Sequence, residues 1–522
     1  MIAPIVLTQK LKSLTQPHWI EICSLLGVGL GVLIRLVQYL SNRSLWFDEV
    51  ALGLNLLDRS YLELLEALDY NQAAPPLFLW IEKFAIETWG SHEYSLRLFP
   101  LIGGLLSLGL FYRFTQNFAQ GWARPIAIFL FSVQGYIAYF ASETKPYSWD
   151  VSMGLLLFMA VTSLATLKPK LTQLLIAGIL GSISIWLSFP SIFVIAGVEA
   201  ANILSLRLWQ APKTDLKDFF LRRLPLYGSW ILSFCGLYFG VINQALSGTD
   251  LADNWAGRYP DNLLDVVWLF DSFGRFFYRP LGFFGPADGV AMVAFITGCI
   301  LLYRTAKLRL IYLSSPFLVT LLAAFLHKYP FRERLVLFLT PFALILLAEG
   351  IVFWWGRWRQ KPRILGIIGL IMVITLIFMP LRRGLHGMIE PTSLHFDHVR
   401  PTIRYIDTHW QAGDKLYVLP GAQLQFEFYN RRFNLPVPDI ILSQLQNIGI
   451  WKVSDEDLES HYQELNNLKQ TQLKDKTRVW ILLARKRPKS EEAIVEQLNR
   501  LGKLIERKQY PGAMVGLYDF SS

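Results

Sequence analysis

Two adjacent carboxylates, Asp48 and Glu49, close the stretch Ser44-Leu45-Trp46-Phe47-Asp48-Glu49, which follows directly on the first long apolar run. A charge just beyond the end of a membrane span is partly desolvated and therefore costly unless it is used. Such a carboxylate can act as a general base, a metal ligand or a helix cap. In the cap alternative Asp48 opens a helix over Val50 to Leu57 and Trp46 marks the aromatic belt.

Three other polar stretches align with these acids. Glu143-Thr144-Lys145-Pro146-Tyr147 is a charged turn between two apolar runs, either part of a site or a snorkelling loop. His327-Lys328-Tyr329-Pro330-Phe331-Arg332-Glu333-Arg334 crowds ionisable groups at a membrane edge, where a guanidinium fork can grip a phosphate bidentately. His92-Glu93-Tyr94-Ser95-Leu96-Arg97 precedes the second apolar run, and Arg97 either braces the fold or touches a ligand. Arg35, late in the first run, needs a partner inside a bundle, and an extracytoplasmic carboxylate is one candidate. Carboxylates and guanidinium groups at headgroup depth suit a substrate that is half lipid and half polar. Transfer of a sugar from a polyprenyl phosphate fits: basic residues stabilise the leaving phosphate while a carboxylate takes the proton of the attacking hydroxyl. No nucleotide loop is needed, because activation precedes this step on the cytoplasmic side.

The elements that must position these residues are membrane spans. The chain of 522 residues is 53% hydrophobic and only 17% charged, with a mean hydropathy of +0.35. That composition excludes a water-soluble globular protein and places the chain among polytopic membrane proteins. The net charge of +10 falls mostly in short segments between apolar runs, so it reads as a positive-inside topology signal and not as a nucleic-acid footprint. Cys23, Cys235 and Cys299 lie inside apolar runs without metal-ligand spacing. Lys10 and Lys12 precede a run too long for a signal-peptide core, so the first span is expected to be an uncleaved anchor with a cytoplasmic N-terminus.

Apolar segments of spanning length fall near 20–40, 96–114, 124–141, 149–167, 171–188, 190–208, 224–245, 288–304, 309–326, 334–354 and 364–380, about eleven transmembrane helices. Alternation from a cytoplasmic start puts the basic clusters at Arg113 and Arg124, Lys168 and Lys170, Lys213 to Arg223, Arg304 to Arg309, and Arg357 to Arg363 inside. The same alternation puts 41–95, 142–148, 246–287 and 327–333 outside. Within the first outer segment, Leu56, Leu57, Leu64, Leu65 and Leu68 mixed with acids predict interfacial helices. Leu77 to Trp89, interrupted by Glu82, Lys83 and Glu87, is expected to be a half-submerged helix. Ser247 to Gly289, rich in acids, arginines and aromatics, is either a lid over a bilayer-level cavity or a loop anchored at the interface.

The hydropathy changes after about residue 381, so the chain divides into a membrane domain, 1–380, and a soluble extracytoplasmic α/β domain, 381–522. In the latter, Lys415 to Leu419, Arg478 to Leu483 and Met514 to Tyr518 read as buried strands. Phe396 to Trp410, Gln423 to Tyr429, Asp455 to Leu468 and Glu491 to Ile505 read as helices. No phosphate loop or catalytic triad pattern occurs there, so support or partner contact is the expected role.

The order WFDE, then APPL with Gly90 to Pro100, then SETKPYS, then Tyr329 to Gly350, resembles bacterial GT-C glycosyltransferases of the protein-mannosyltransferase and aminoarabinose-transferase type, family 39-like. The resemblance covers roughly residues 15 to 355. It implies a polyprenyl-phosphate sugar donor and a lipid, glycan or protein acceptor, in the bacterial inner membrane with an extracytoplasmic site. It also implies that Asp48 is the catalytic aspartate, with Glu49 beside it and Glu143 a second acid. Lys145, Tyr147, Arg332 and Arg334 correspond to the donor-phosphate site, with Arg97, His327 and Lys328 further pocket candidates. Members differ over metal dependence, and Asp48 is the candidate ligand of a divalent metal. The chain departs from the family pattern in Glu333-Arg334, where Arg-Tyr is frequent, and in Ala74, where a histidine precedes the paired prolines. The competing classes are a flippase of lipid-linked intermediates, which would want ionisable residues mid-span and inverted repeats, and a non-catalytic scaffold on the same fold.

Overall fold

The computed structural model describes residues 18–206, 213–246, 255, 257–360, 363–390, 397–433, 440–443, 455–473, 478–484 and 488–521. Lys10, Lys12, Asp250 and Asp253, used in the topology and lid expectations, lie outside these residues. The chain divides into two compact units: Met1–Leu40, Arg59–Gly90 and Tyr94–Ile389 form one, and Ser41–Asp58, Ser91–Glu93 and Glu390–Ser522 form the other. The Asp48 segment thus belongs to the unit that contains the C-terminal domain.

Among the described residues, the regular structure of the first unit is helical, and seven helices are long and apolar enough to cross a membrane. A further pair, Ala123–Val133 and Gly135–Ser142, is bent by 56° at its break, and the helices Tyr147–Thr162, Leu171–Leu187 and Ser191–Ser205 are apolar but shorter. Counting the bent pair once, these are the eleven segments expected from the hydropathy. The chain is therefore an integral membrane protein. Most of the helices are apolar all round, as helices with lipid on one side and protein on the other must be. Three arginines are paired with carboxylates of other helices: Arg124 with Glu21 at 2.9 Å, Arg223 with Glu199 at 2.9 Å, and Arg309 with Glu349 at 3.0 Å. All three arginines come from segments read as cytoplasmic basic clusters, so those clusters also tie helices together. Arg35 differs from the expectation. Its guanidinium donates to the Gly31 carbonyl at 3.0 Å and lies over the Phe131 ring at 5.5 Å, where a carboxylate partner was a candidate.

The half-submerged segment is a helix, Pro76–Trp89, opened by a proline whose missing N–H costs nothing in the first turn. Its 14 residues extend about 21 Å, too short to cross a bilayer. Of its charges Glu82 and Lys83 are buried and Glu87 is exposed, and the aromatic residues Phe84 and Trp89 are exposed as well.

In the second unit, a five-stranded sheet has the order β2-β1-β3-β5-β4. β1 (Lys415–Val418), β2 (Ile440–Leu442) and β3 (Val479–Ala484) are parallel, and β5 (Ala513–Asp519) joins β3 and β4 (Lys503–Tyr510) antiparallel. β3 is buried along its length, which is why Val-Trp-Ile-Leu-Leu-Ala has no polar alternation. The expected helix over Glu491 to Ile505 is corrected here. The helix is Pro488–Leu501, and the chain then turns into β4, whose alternating exposure marks an edge strand. A turn at Pro511-Gly512, with Gly512 at φ +68°, returns it into β5. Strand β2, three residues long, was also not foreseen.

The Asp48 segment is bolted within this unit by hydrogen bonds that no local pattern announces. The Leu45 amide donates to the Tyr429 hydroxyl at 2.8 Å, and that hydroxyl donates to Glu93 at 2.9 Å. Glu93 also receives Arg400 at 2.7 Å and Arg432 at 2.5 Å. Ser44 pairs with His398 Nδ1 at 2.8 Å, and Asp58 with Arg431. Burial, then the Glu93 carboxylate, pushes the Tyr429 hydroxyl well above its ordinary range, so it stays protonated and keeps donating.

Candidate active site

In the first unit, the charged turn is made by the helical pair that bends at Gln134-Gly135. After a short 3-10 turn over Phe140–Ser142, Glu143 is extended (φ −126°, ψ 138°) and Tyr147 opens the next helix. The Lys145 amide folds back on the Glu143 carbonyl at 2.6 Å. Glu143 is 0% and Lys145 only 3% exposed. A snorkelling loop would leave both heads in water, so that alternative does not describe this turn. The Lys145 ammonium instead donates to the Gln72 side chain. Tyr147 packs edge-on against Phe140 at 4.9 Å, and the Arg334 guanidinium lies over its ring at 5.7 Å. Two stretches far apart in sequence, both expected at the donor phosphate, thus meet through Tyr147 and Arg334.

The second stretch is shaped by backbone that ordinary side chains seldom adopt. His327 (φ +54°) and Glu333 (φ +45°) both occupy the left-handed region, and Arg332 between them is extended (φ −144°, ψ 137°). Such conformations cost of order 1–3 kcal/mol each and collect where a chain must present particular side chains. The effect is to send neighbouring residues to different partners. Arg334 goes to Tyr147, and Arg332 donates to Asp271 at 2.7 Å. His327 stacks on Tyr259 at 5.0 Å and its Nε2 sits 2.8 Å from the Pro260 carbonyl. Lys328 is exposed. Tyr329 donates to the Leu335 carbonyl at 2.8 Å, and burial followed by the Asp150 charge raises its hydroxyl far above the usual range. It is therefore a hydrogen-bond donor and not a base.

Arg97 is buried in the first unit, as a brace or ligand residue requires. In the second unit, Asp48 and Glu49 stand in the first turn of the helix Phe47–Asp58, where the helix dipole favours negative charge. They differ in surroundings. Glu49 is fully buried and accepts from the Trp46 amide at 3.3 Å, closing the helix start. Asp48 is half-buried. Of the two, Asp48 has the accessibility that a general base needs. Among the described residues, no group of three or more His, Cys, Asp or Glu side chains is placed to hold a metal ion.

No protein-family model and no curated protein matches the chain. Several solved structures are similar to it, two of them as follows. ArnT from Cupriavidus metallidurans bound to undecaprenyl phosphate aligns at 12% identity over 94% of this chain and 97% of its own, with a TM-score of 0.47. The oligosaccharyltransferase AglB from Archaeoglobus fulgidus, in complex with an inhibitory peptide and a dolichol-phosphate, aligns at 11% identity over 97% of this chain and 74% of its own, with a TM-score of 0.49.

Two acids at or near the site were not singled out from the sequence. Glu82 is 0% exposed on the short helix Pro76–Trp89. Carboxylates are almost never so buried unless matched or used, and its position in an otherwise apolar run was the available signal. Asp271 was one of several acids in the segment after Ser247, with nothing to mark it as the partner of Arg332. Burial raises its pKa, but Arg332 and Arg275 outweigh burial and hold it below the ordinary carboxylate value. The ion pair therefore persists at neutral pH and is lost only as pH falls through that depressed value.

Proposed function

We propose that the protein is an integral membrane glycosyltransferase that takes a sugar from a polyprenyl-phosphate donor and passes it to an extracytoplasmic lipid, glycan or protein acceptor. The observation that carries this reading is the convergence of Lys145, Tyr147 and Arg334 at the buried charged turn. A buried lysine two residues before Tyr147 and an arginine lying over that ring make a place for an anionic headgroup on an apolar tail. In the reaction, the acceptor oxygen bonds to the anomeric carbon as the bond from that carbon to the phosphate oxygen breaks. The electron pair leaves with the phosphate, where Lys145, Arg334 and Arg332 stabilise it. The acceptor proton passes to Asp48, with Glu143 as a second acid that orients the substrate. Direct displacement of this kind inverts the anomeric centre. The same reading places the N-terminus in the cytoplasm, in a bacterial inner membrane, with the C-terminal domain outside.

The test is to incubate membranes containing the protein with a panel of polyprenyl-phosphate sugars and follow consumption of each. Consumption of one donor, dependent on acceptor, is the expected result. If every donor survives while the protein is present and folded, the reading is wrong. Within that assay, Arg334→Ala is expected to raise the donor KM by roughly 10- to 100-fold, the worth of a charge-assisted contact to phosphate. The acceptor KM should stay near its wild-type value. Equal loss for both substrates would remove Arg334 from the phosphate grip.

A further inference from the structure

The lid candidate contains a well-anchored helix, Val266–Tyr278. Asp265 caps it by accepting from the Trp268 amide at 2.9 Å. Trp268 packs edge-on against Phe325 at 5.3 Å, and Phe276 packs on Phe317 at 5.5 Å and Phe331 at 6.1 Å. Phe331 precedes Arg332, so the helix and the phosphate-binding stretch are held side by side. On this platform the Asp271 carboxylate meets two guanidinium groups. Arg275 Nε lies 2.8 Å from both of its oxygens. Arg332 reaches Oδ2 through Nη1 alone, at 2.7 Å. The contacts therefore differ in kind: Arg275 shares one Nε–H between both carboxylate oxygens from the same helix, and Arg332 reaches a single oxygen from another segment. Arg332 is also the better shielded, its side chain 14% exposed against 60% for Arg275. An open cleft of about 330 Å³, lined by Asp271, Arg275, Tyr278 and Asp288, adjoins the pair and gives the carboxylate room to turn.

We propose that Asp271 is a positioning residue that parks Arg332 in the donor-free protein and yields it to the donor phosphate. An anion held in place by its own helix keeps the guanidinium extended and neutralised, which a partly buried arginine requires. When a phosphate arrives, Arg332 exchanges one anionic partner for another. Asp271 stays neutralised by Arg275, so no charge is stranded by the exchange. A phosphate that must displace a carboxylate binds more weakly by the strength of the pair it displaces. This inference rests on the reading of Arg332 as part of the phosphate grip.

The test uses the purified full-length protein in nanodiscs, with a polyprenyl phosphate as probe and the uncharged polyprenol of equal length as control. Asp271→Asn keeps the shape of the side chain and removes its charge. It is expected to tighten polyprenyl-phosphate binding roughly three- to tenfold, the range for a partly exposed ion pair, and to leave polyprenol binding unchanged. The variant should also have a lower melting temperature without ligand and a larger upward shift when polyprenyl phosphate is added, which separates release of Arg332 from misfolding. Unchanged or weaker phosphate binding by a folded variant overturns the proposal, because a merely structural role would loosen Arg332 and weaken binding. If neither wild type nor variant prefers polyprenyl phosphate to polyprenol, the phosphate-grip reading itself has failed, and the proposal with it.

Discussion

Replacing Asp48 by asparagine is expected to abolish sugar transfer and leave the protein folded. The two halves of that expectation have separate physical grounds. Asparagine cannot accept the proton of an attacking hydroxyl, and loss of a positioned general base lowers turnover by roughly 10²- to 10⁴-fold. Loss of one first-turn charge costs the fold only about 0.3–1 kcal/mol of helix-dipole interaction, and Asp48 stands in the first turn of Phe47–Asp58 in a half-buried position. The unit that carries it is fastened elsewhere, through Leu45 to Tyr429 and through Glu93 to Arg400 and Arg432. The melting temperature of Asp48→Asn should therefore stay close to that of the wild type while the initial rate of transfer falls below detection. A variant that folds and transfers at the normal rate would show that the base lies elsewhere.

What could be read from the chain beforehand follows the range of the interactions concerned. Hydropathy is local, so apolar runs located every helix of the bundle, including Tyr147–Thr162 and its neighbours that are short for a span. The short helix Pro76–Trp89 was legible for the same reason, since a proline pair opens it and three charges interrupt its apolar run. Interactions between distant residues left no such trace. Nothing near Arg124, Arg223 or Arg309 identifies Glu21, Glu199 or Glu349 as partners, so arginines read as topology markers proved also to be cross-links. The edge strand Lys503–Tyr510 was hidden because its charged alternation continues directly from a helix of similar composition. At the candidate site, residue type marked the charged turn and the arginine-bearing stretch, and the family resemblance was needed to nominate Lys145, Tyr147 and Arg334 for the donor phosphate. Residue type was not enough to separate Arg332 from Arg334. Their different partners are set by the left-handed backbone at Glu333, a residue whose type gives no hint of it.

The second large effect concerns packing remote from the chemistry. Gly350→Ala is expected to destabilise the membrane unit by at least the upper end of the roughly 1–3 kcal/mol seen for overpacking. The helices Pro286–Thr305 and Thr340–Gln360 cross where each turns a glycine toward the other's backbone. A methyl group on Gly350 would stand 1.8 Å from the Ala294 carbonyl oxygen, and one on Gly298 1.8 Å from the Leu346 carbonyl oxygen. These are backbone atoms, which cannot rotate aside as a flexible side chain would, so the helices must separate. In a bilayer that separation forfeits the close contact that small residues permit and lipid does not replace. Function should suffer with stability, because Thr340–Gln360 continues directly from the 3-10 turn Glu333–Leu339 that carries Arg334. The matched control is Gly109→Ala in the helix Glu93–Phe118, where a methyl group meets nothing within 4 Å. There alanine should be neutral or stabilising by up to about 1 kcal/mol, since it restricts the unfolded chain without straining the folded one. Thermal unfolding of both variants in the same detergent decides the matter. If Gly350→Ala melts with Gly109→Ala, the two helices have room between them, and their crossing does not fix the position of Arg334.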